Sequence, residues 1–186
     1  MSAPRVAYAR DVRELADERR IRRLVAALGD VAAEDGTCYL AGGVTAVLLG
    51  WRARTLDVDV KLEPEQDEVL RAIPALKEEL SVNVELASPA DFLPLPQGWR
   101  ERSLFIERKG RLTFRHFDLY SQALSKLERG HAQDLADVRE MLARDLVEPA
   151  QLRSSFAEIE PELYRFPAVD PADFRGSVDE FLSSRR

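Results

Sequence analysis

Asp57 and Asp59 stand one residue apart in LDVDVKL, where Leu56, Val58, Val60 and Leu62 alternate with polar residues. That alternation is a β-strand signal, and positions i and i+2 of a strand share a face, with Cα atoms about 6.5–7 Å apart. Two carboxylates at that spacing repel unless something positive lies between them. On an open sheet face, Lys61 and water can suffice. A hard divalent cation is the alternative, and Mg²⁺ favours a few carboxylates combined with substrate phosphate oxygens. Upstream, Gly42-Gly43 separates an apolar run, Thr37 to Ala41, from an apolar helical run, Val44 to Leu49, closed by Gly50. A Gly-Gly turn lets backbone come close to a ligand, and the unpaired N–H groups that open a helix suit a phosphate. Each feature is common alone. As a pair they offer a phosphate cradle, followed at once by carboxylates for the cation that phosphates carry.

The elements that must position these residues can be read outward from them. A chain of 186 residues, 45% hydrophobic and 32% charged, suits one globular domain with a single substantial core. No apolar run reaches bilayer length, and MSAPRVAYAR lacks the apolar centre of a secretory signal. The expected location is cytoplasmic, with no membrane partner. Cys38 has no second cysteine to bridge and reads as a buried small hydrophobe. The net charge of −6 argues against broad nucleic-acid binding, although a local basic patch could hold RNA.

A first helix is expected from Asp11, with Asp11 and Glu14 as a capping box and Ile21, Leu24, Val25 and Leu28 on its apolar face. The Arg19, Arg20, Arg22, Arg23 cluster reads as a solvated face. A strand spans 37–41, a second 56–62 and a third 82–86, the last with Asn83 and Glu85 on its polar side. The helix between the second and third, 64–80, should break or kink at Pro74. Residues 88–99 read as loop, with room for a single helical turn at 90–93, and 103–108 with 111–117 as a hairpin around Lys109-Gly110. Helices follow at 120–129, 132–144, 149–158 and 171–182. The expected fold class is α+β: a mixed sheet with packed helices (1–119) and a C-terminal helical section (120–186), within one domain of residues 1–186. His116 and His131 read as surface residues, and Trp51 and Trp99 as packing residues.

The pairing of Gly42-Gly43, an apolar helix and Asp57-Val58-Asp59 resembles the nucleotidyltransferase superfamily typified by DNA polymerase β. Arg54 and Thr55, in RARTLDVDV, are similar to the pair that precedes the acidic strand in bacterial minimal nucleotidyltransferases, which include AbiEii-type toxins. SKLERGHAQDLADV, containing Lys126, Arg129, Asp134 and Asp137, resembles a second segment of that group, with Gln133 where the group carries Lys or Arg. The tail ELYRFPAVDPADFRGSVDEFL also looks like that of bacterial members.

The resemblance implies a nucleotidyltransferase-type mixed sheet and an NTP substrate, with Mg²⁺ or Mn²⁺ as cofactor. It implies that Asp57 and Asp59 hold metal and align the nucleotide, with Glu85 as third metal ligand or base and Asp118 as its rival. Gly42 and Gly43 would cradle phosphates, joined by Arg54, Thr55 and Lys126 in nucleotide binding, and Asp134 would serve catalysis directly or by holding the lysine. The implied acceptor is a hydroxyl on an RNA end such as tRNA, on a protein, or on a small molecule. The alternatives are a toxin with an antitoxin partner, or an inactive nucleotide-binding module of the same fold.

Overall fold

A computed structural model describes residues 15–184. The expected capping pair, Asp11 and Glu14, lies outside the described residues. Ala16–Asp17 is a short strand, β1, and α1 runs from Glu18 to Val31, later than expected, with Asp17 as its N-cap accepting from Arg20 N. The order continues β2 (Gly36–Ala41), α2 (Gly43–Leu48), β3 (Arg54–Thr55), β4 (Asp57–Glu63), α3 (Asp67–Leu80), β5 (Asn83–Glu85), α4 (Trp99–Arg102), β6 (Phe105–Lys109) and β7 (Leu112–His116). Helices α5 (Leu119–Arg129), α6 (Ala132–Ala143), α7 (Pro149–Ile159) and α8 (Pro171–Ser183) complete it, with 3₁₀ turns at Pro89–Asp91 and Glu160–Arg165.

Five strands form one mixed sheet in the order β5-β4-β2-β7-β6. β2 is antiparallel to β4 and parallel to β7; β4 is parallel to β5, and β6 is antiparallel to β7. β1 and β3 pair separately. The fold class is α+β, as the strand and helix patterns imply.

Both faces of the central strand β2 are buried, which is why it reads as a continuous apolar run. Cys38 and Leu40 join Leu24, Leu28, Val58, Val60, Val69, Ile73 and Phe114 in the core beneath α1 and α3. Tyr39 and Ala41 face the other way, onto Trp99 and Phe117. The Trp99 and Phe117 rings stack with centroids 4.6 Å apart. A second apolar cluster unites α5 to α8 through Leu124, Leu127, Met141, Leu152, Phe156 and Phe174.

Several expectations are corrected. Pro74 does not interrupt α3: it sits on the exposed side, where water can take the carbonyl it leaves unpaired, while Val69, Ile73, Leu76 and Leu80 stay buried around it. Leu56 lies outside the core at 52% exposed, because β4 begins only at Asp57. His116 is buried, since it continues the inward alternation of Leu112 and Phe114 along β7. The stretch expected as loop closes with α4. No helix among the described residues is long and apolar enough to cross a membrane.

Candidate active site

Strand register brings the glycine turn to the aspartates. Ala41, the last residue of β2, pairs with Asp59 near the start of β4, so the chain leaving β2 turns over the acidic end of β4. Gly42 has φ +69° and ψ −136°, a conformation that side chains with a Cβ avoid. A Cβ there would collide with Asp59 Oδ2, and one on Gly43 would collide with Thr55 Oγ1. The two glycines let the turn settle directly onto Asp59 and Thr55. Thr55, buried on β3, donates to the Asp57 carbonyl at 3.1 Å. The Gly42 N–H donates to Gln122 Oε1 at 2.9 Å. Gln122, buried on α5, donates in turn to the Phe117 carbonyl at 2.7 Å and to Thr45 Oγ1 at 3.1 Å. The Thr45 hydroxyl also lies 3.2 Å from His116 Nδ1. No sequence signal marked Gln122; its role exists only because α5 packs beneath the turn.

β4 and β5 present three carboxylates, Asp57, Asp59 and Glu85, to one cleft. Asp57 pairs in register with Asn83, and Asp59 with Glu85. The Asn83 amide nitrogen donates to Asp57 Oδ1 at 2.7 Å and to Glu85 Oε1 at 2.9 Å. Its oxygen is buried with no partner among the described residues, a cost of about 1–3 kcal/mol tolerated where it helps aim two carboxylates. Asp59 accepts no hydrogen bond among the described residues. Burial, then the charges of Asp57 and Glu85, push its carboxyl up to about 6, against the opposing pull of Arg129 and Lys126. Glu85 is the carboxylate set beside Asp59 by strand register, and it borders the same cleft. Asp118, the rival, caps α5 through Ser121 N and takes both arms of Arg102 at 3.0 and 3.1 Å, fully buried.

Facing the carboxylates is a cationic wall from α5 and the loop after α2, its side chains held by carboxylates of α6. Lys126 is buried and donates to Asp134 Oδ1 at 3.2 Å and Asp137 Oδ2 at 2.6 Å. Arg129 grips Asp134 through Nε at 3.1 Å and Nη2 at 2.9 Å. Burial alone would raise the Asp134 carboxyl; the Arg129 hydrogen bonds and the Lys126 charge outweigh it and hold Asp134 below its ordinary range. Asp134 thus holds Lys126 and Arg129 in place.

These groups line one cleft of about 420 Å³, a size suited to a small ligand. Gly42, Gly43, Thr55, Asp57, Asp59, Glu85, Lys126 and Asp134 all border it. Arg54 does not: it is exposed on β3, opposite Asp17, and Arg52 borders the cleft instead. Gln122, Arg129 and Gln133 also border it. His131 lies at its exposed edge.

Among the described residues, no three His, Cys, Asp or Glu side chains converge as a preformed metal cage. The donor set suits a cation of another kind: oxygen donors only, one of them without a hydrogen-bond partner, beside a turn stripped of side chains. Mg²⁺ is commonly held in this way, by one or two carboxylates and the phosphates it accompanies.

A family model described as a nucleotidyltransferase of unknown function (DUF6036) matches residues 19–168. Neither a curated protein nor a solved structure matches the chain.

Proposed function

The chain belongs to this nucleotidyltransferase family, and on that premise we propose that it moves a nucleoside monophosphate from an NTP to a hydroxyl acceptor in a Mg²⁺-dependent reaction. One observation carries the reading: the Gly42-Gly43 turn, the Asp57, Asp59 and Glu85 carboxylates and the Lys126–Arg129 wall border the same cleft. The two walls have opposite charge character, which suits a substrate that is anionic at one end and brings its own cation.

In the reaction, the acceptor oxygen bonds to the α-phosphorus. The bond from that phosphorus to the β-bridging oxygen breaks, and its electron pair leaves with pyrophosphate. Gly42 and Gly43 admit the polyphosphate against the backbone, and Lys126 and Arg129 oppose its charge. Asp57 and Asp59 orient the α-phosphate end. Glu85, the more exposed carboxylate, takes the hydroxyl proton. Asp57, Asp59 and Glu85 would hold Mg²⁺ or Mn²⁺, which would supply positive charge to offset that of the phosphates. The protein's share is positioning and electrostatics.

Incubation with α-labelled NTPs, Mg²⁺ and a pool of RNA and protein tests this. Transfer should fall at least about 100-fold in Asp57→Asn and in Asp59→Asn. Both variants should fold, since each neutralises one member of a repelling pair. No transfer from any NTP, together with no Mg²⁺-dependent thermal shift, sinks the reading.

A further inference from the structure

We propose that Arg52 forms a subsite for the terminal phosphates of the nucleotide, at the corner where the Gly42-Gly43 turn meets α6, and that Asp137 and Gln133 aim it there. The proposal rests on the nucleotide-transfer reading above and adds a binding residue to it.

Arg52 follows α2 in the loop leading to β3, and its side chain is 19% exposed. One edge of the guanidinium is occupied. Nε donates to Asp137 Oδ1 at 2.8 Å and Nη2 to Asp137 Oδ2 at 2.5 Å, with the Gln133 carbonyl 3.4 Å from Nη2. Turned so that its oxygen faces the guanidinium, the Gln133 side-chain amide accepts from Nη2 and Nε, each at 3.1 Å. The remaining nitrogen, Nη1, makes no hydrogen bond among the described residues. It lies 3.4 Å from where a Cβ on Gly43 would begin, against the turn that borders the cleft.

A guanidinium fixed along one edge, with free N–H groups at a side-chain-free turn, is preorganised for a phosphate oxygen. Little side-chain freedom is left for it to lose on binding. Asp137 is suited to the anchoring role. It is 1% exposed, and besides Arg52 it accepts from Trp51 Nε1 at 3.0 Å and Lys126 Nζ at 2.6 Å. All its acceptor capacity is turned inward. Charge gives the corner its sign. Arg52, Lys126 and Arg129 outnumber Asp134 and Asp137, so this wall keeps a net positive charge opposite Asp57, Asp59 and Glu85. A bound triphosphate is thereby polarised: tail toward Arg52, α-phosphate toward the carboxylates.

The test is calorimetric binding of the four NTPs, the matching NMPs and inorganic tripolyphosphate, all with Mg²⁺, to wild type, Arg52→Ala and Arg52→Lys. Arg52→Ala should weaken NTP and tripolyphosphate binding about tenfold or more and leave NMP binding unchanged. Arg52→Lys keeps the charge without the fork and should fall between. A merely structural Arg52 would lower mono- and triphosphate affinity alike, and that result, or no change in either, overturns the subsite. If Arg52→Ala fails to fold, Arg52→Lys carries the same comparison. Wild type that binds tripolyphosphate in an Arg52-dependent way but transfers no label overturns the transfer reading and leaves the subsite standing. Wild type that binds none of these probes overturns both.

Discussion

The Asp59 carboxylate lies against Gly42, half-buried and beside two other carboxylates, with its pKa raised to about 6. Behind the turn, His116 is the buried counterpart. Burial first, then the positive charge of Arg22, pulls its imidazole down to about 4, so it is neutral in the folded protein at pH 7. Its ordinary value is 6.5. A histidine depressed on folding contributes stability that is complete above the unfolded pKa and is lost as pH falls toward the folded one. Acidification from about 6.5 to 4 should therefore remove up to about 3 kcal/mol through His116. The melting-temperature difference between wild type and His116→Gln isolates this from the carboxylates. It should favour wild type more at pH 7 than at pH 4.5, and a difference that does not change with pH refutes the assignment. The alternation of Leu112, Phe114 and His116 already placed His116 on the inner face; what the sequence left unseen were its partners, Thr45 on α2 and Arg22 on α1, both distant in sequence.

Helix α5 carries more of the cleft than any strand. It supplies Gln122 under the glycine turn and Lys126 and Arg129 to the cationic wall, with Asp118 as its N-cap. Its neighbour α6 answers with Asp134 and Asp137 on successive turns of the same face. Asp137 then ties α6 and α5 to the loop after α2 through Lys126, Trp51 and Arg52. Removing a buried carboxylate with this many partners leaves Lys126 and Arg52 under-compensated. Asp137→Ala should cost about 3–5 kcal/mol, a fall in Tm of roughly 10 °C. Thermal melts of the two proteins measure it, and a shift of only a degree or two denies Asp137 this tie. The helical spacing of Lys126, Arg129, Asp134 and Asp137 was legible in the sequence; their mutual pairing depends on how α5 and α6 cross.

Across the whole molecule, the sheet core and the α5–α8 cluster are distinct apolar units that share one cleft. Ion pairs and hydrogen bonds cross between them at Gly42–Gln122, Trp51–Asp137 and Arg52–Asp137. Unfolding either unit would strand buried polar groups in the other, so the protein should melt in one transition. Near-UV and far-UV circular dichroism should trace coincident curves, and two separated midpoints contradict this. The sequence alone determined the strand carrying Asp57 and Asp59, the glycine turn, the hairpin and the four C-terminal helices, because period, punctuation and composition are local properties. Glu85 was reachable too, since one alternating strand places it on the polar face. Tertiary structure alone decided that Arg52 and not Arg54 borders the cleft, that Asp118 is a buried cap, and that Gln122 holds Gly42. Those outcomes depend on which surfaces pack together, and hydrogen bonds across eighty residues or more leave no trace in local spacing.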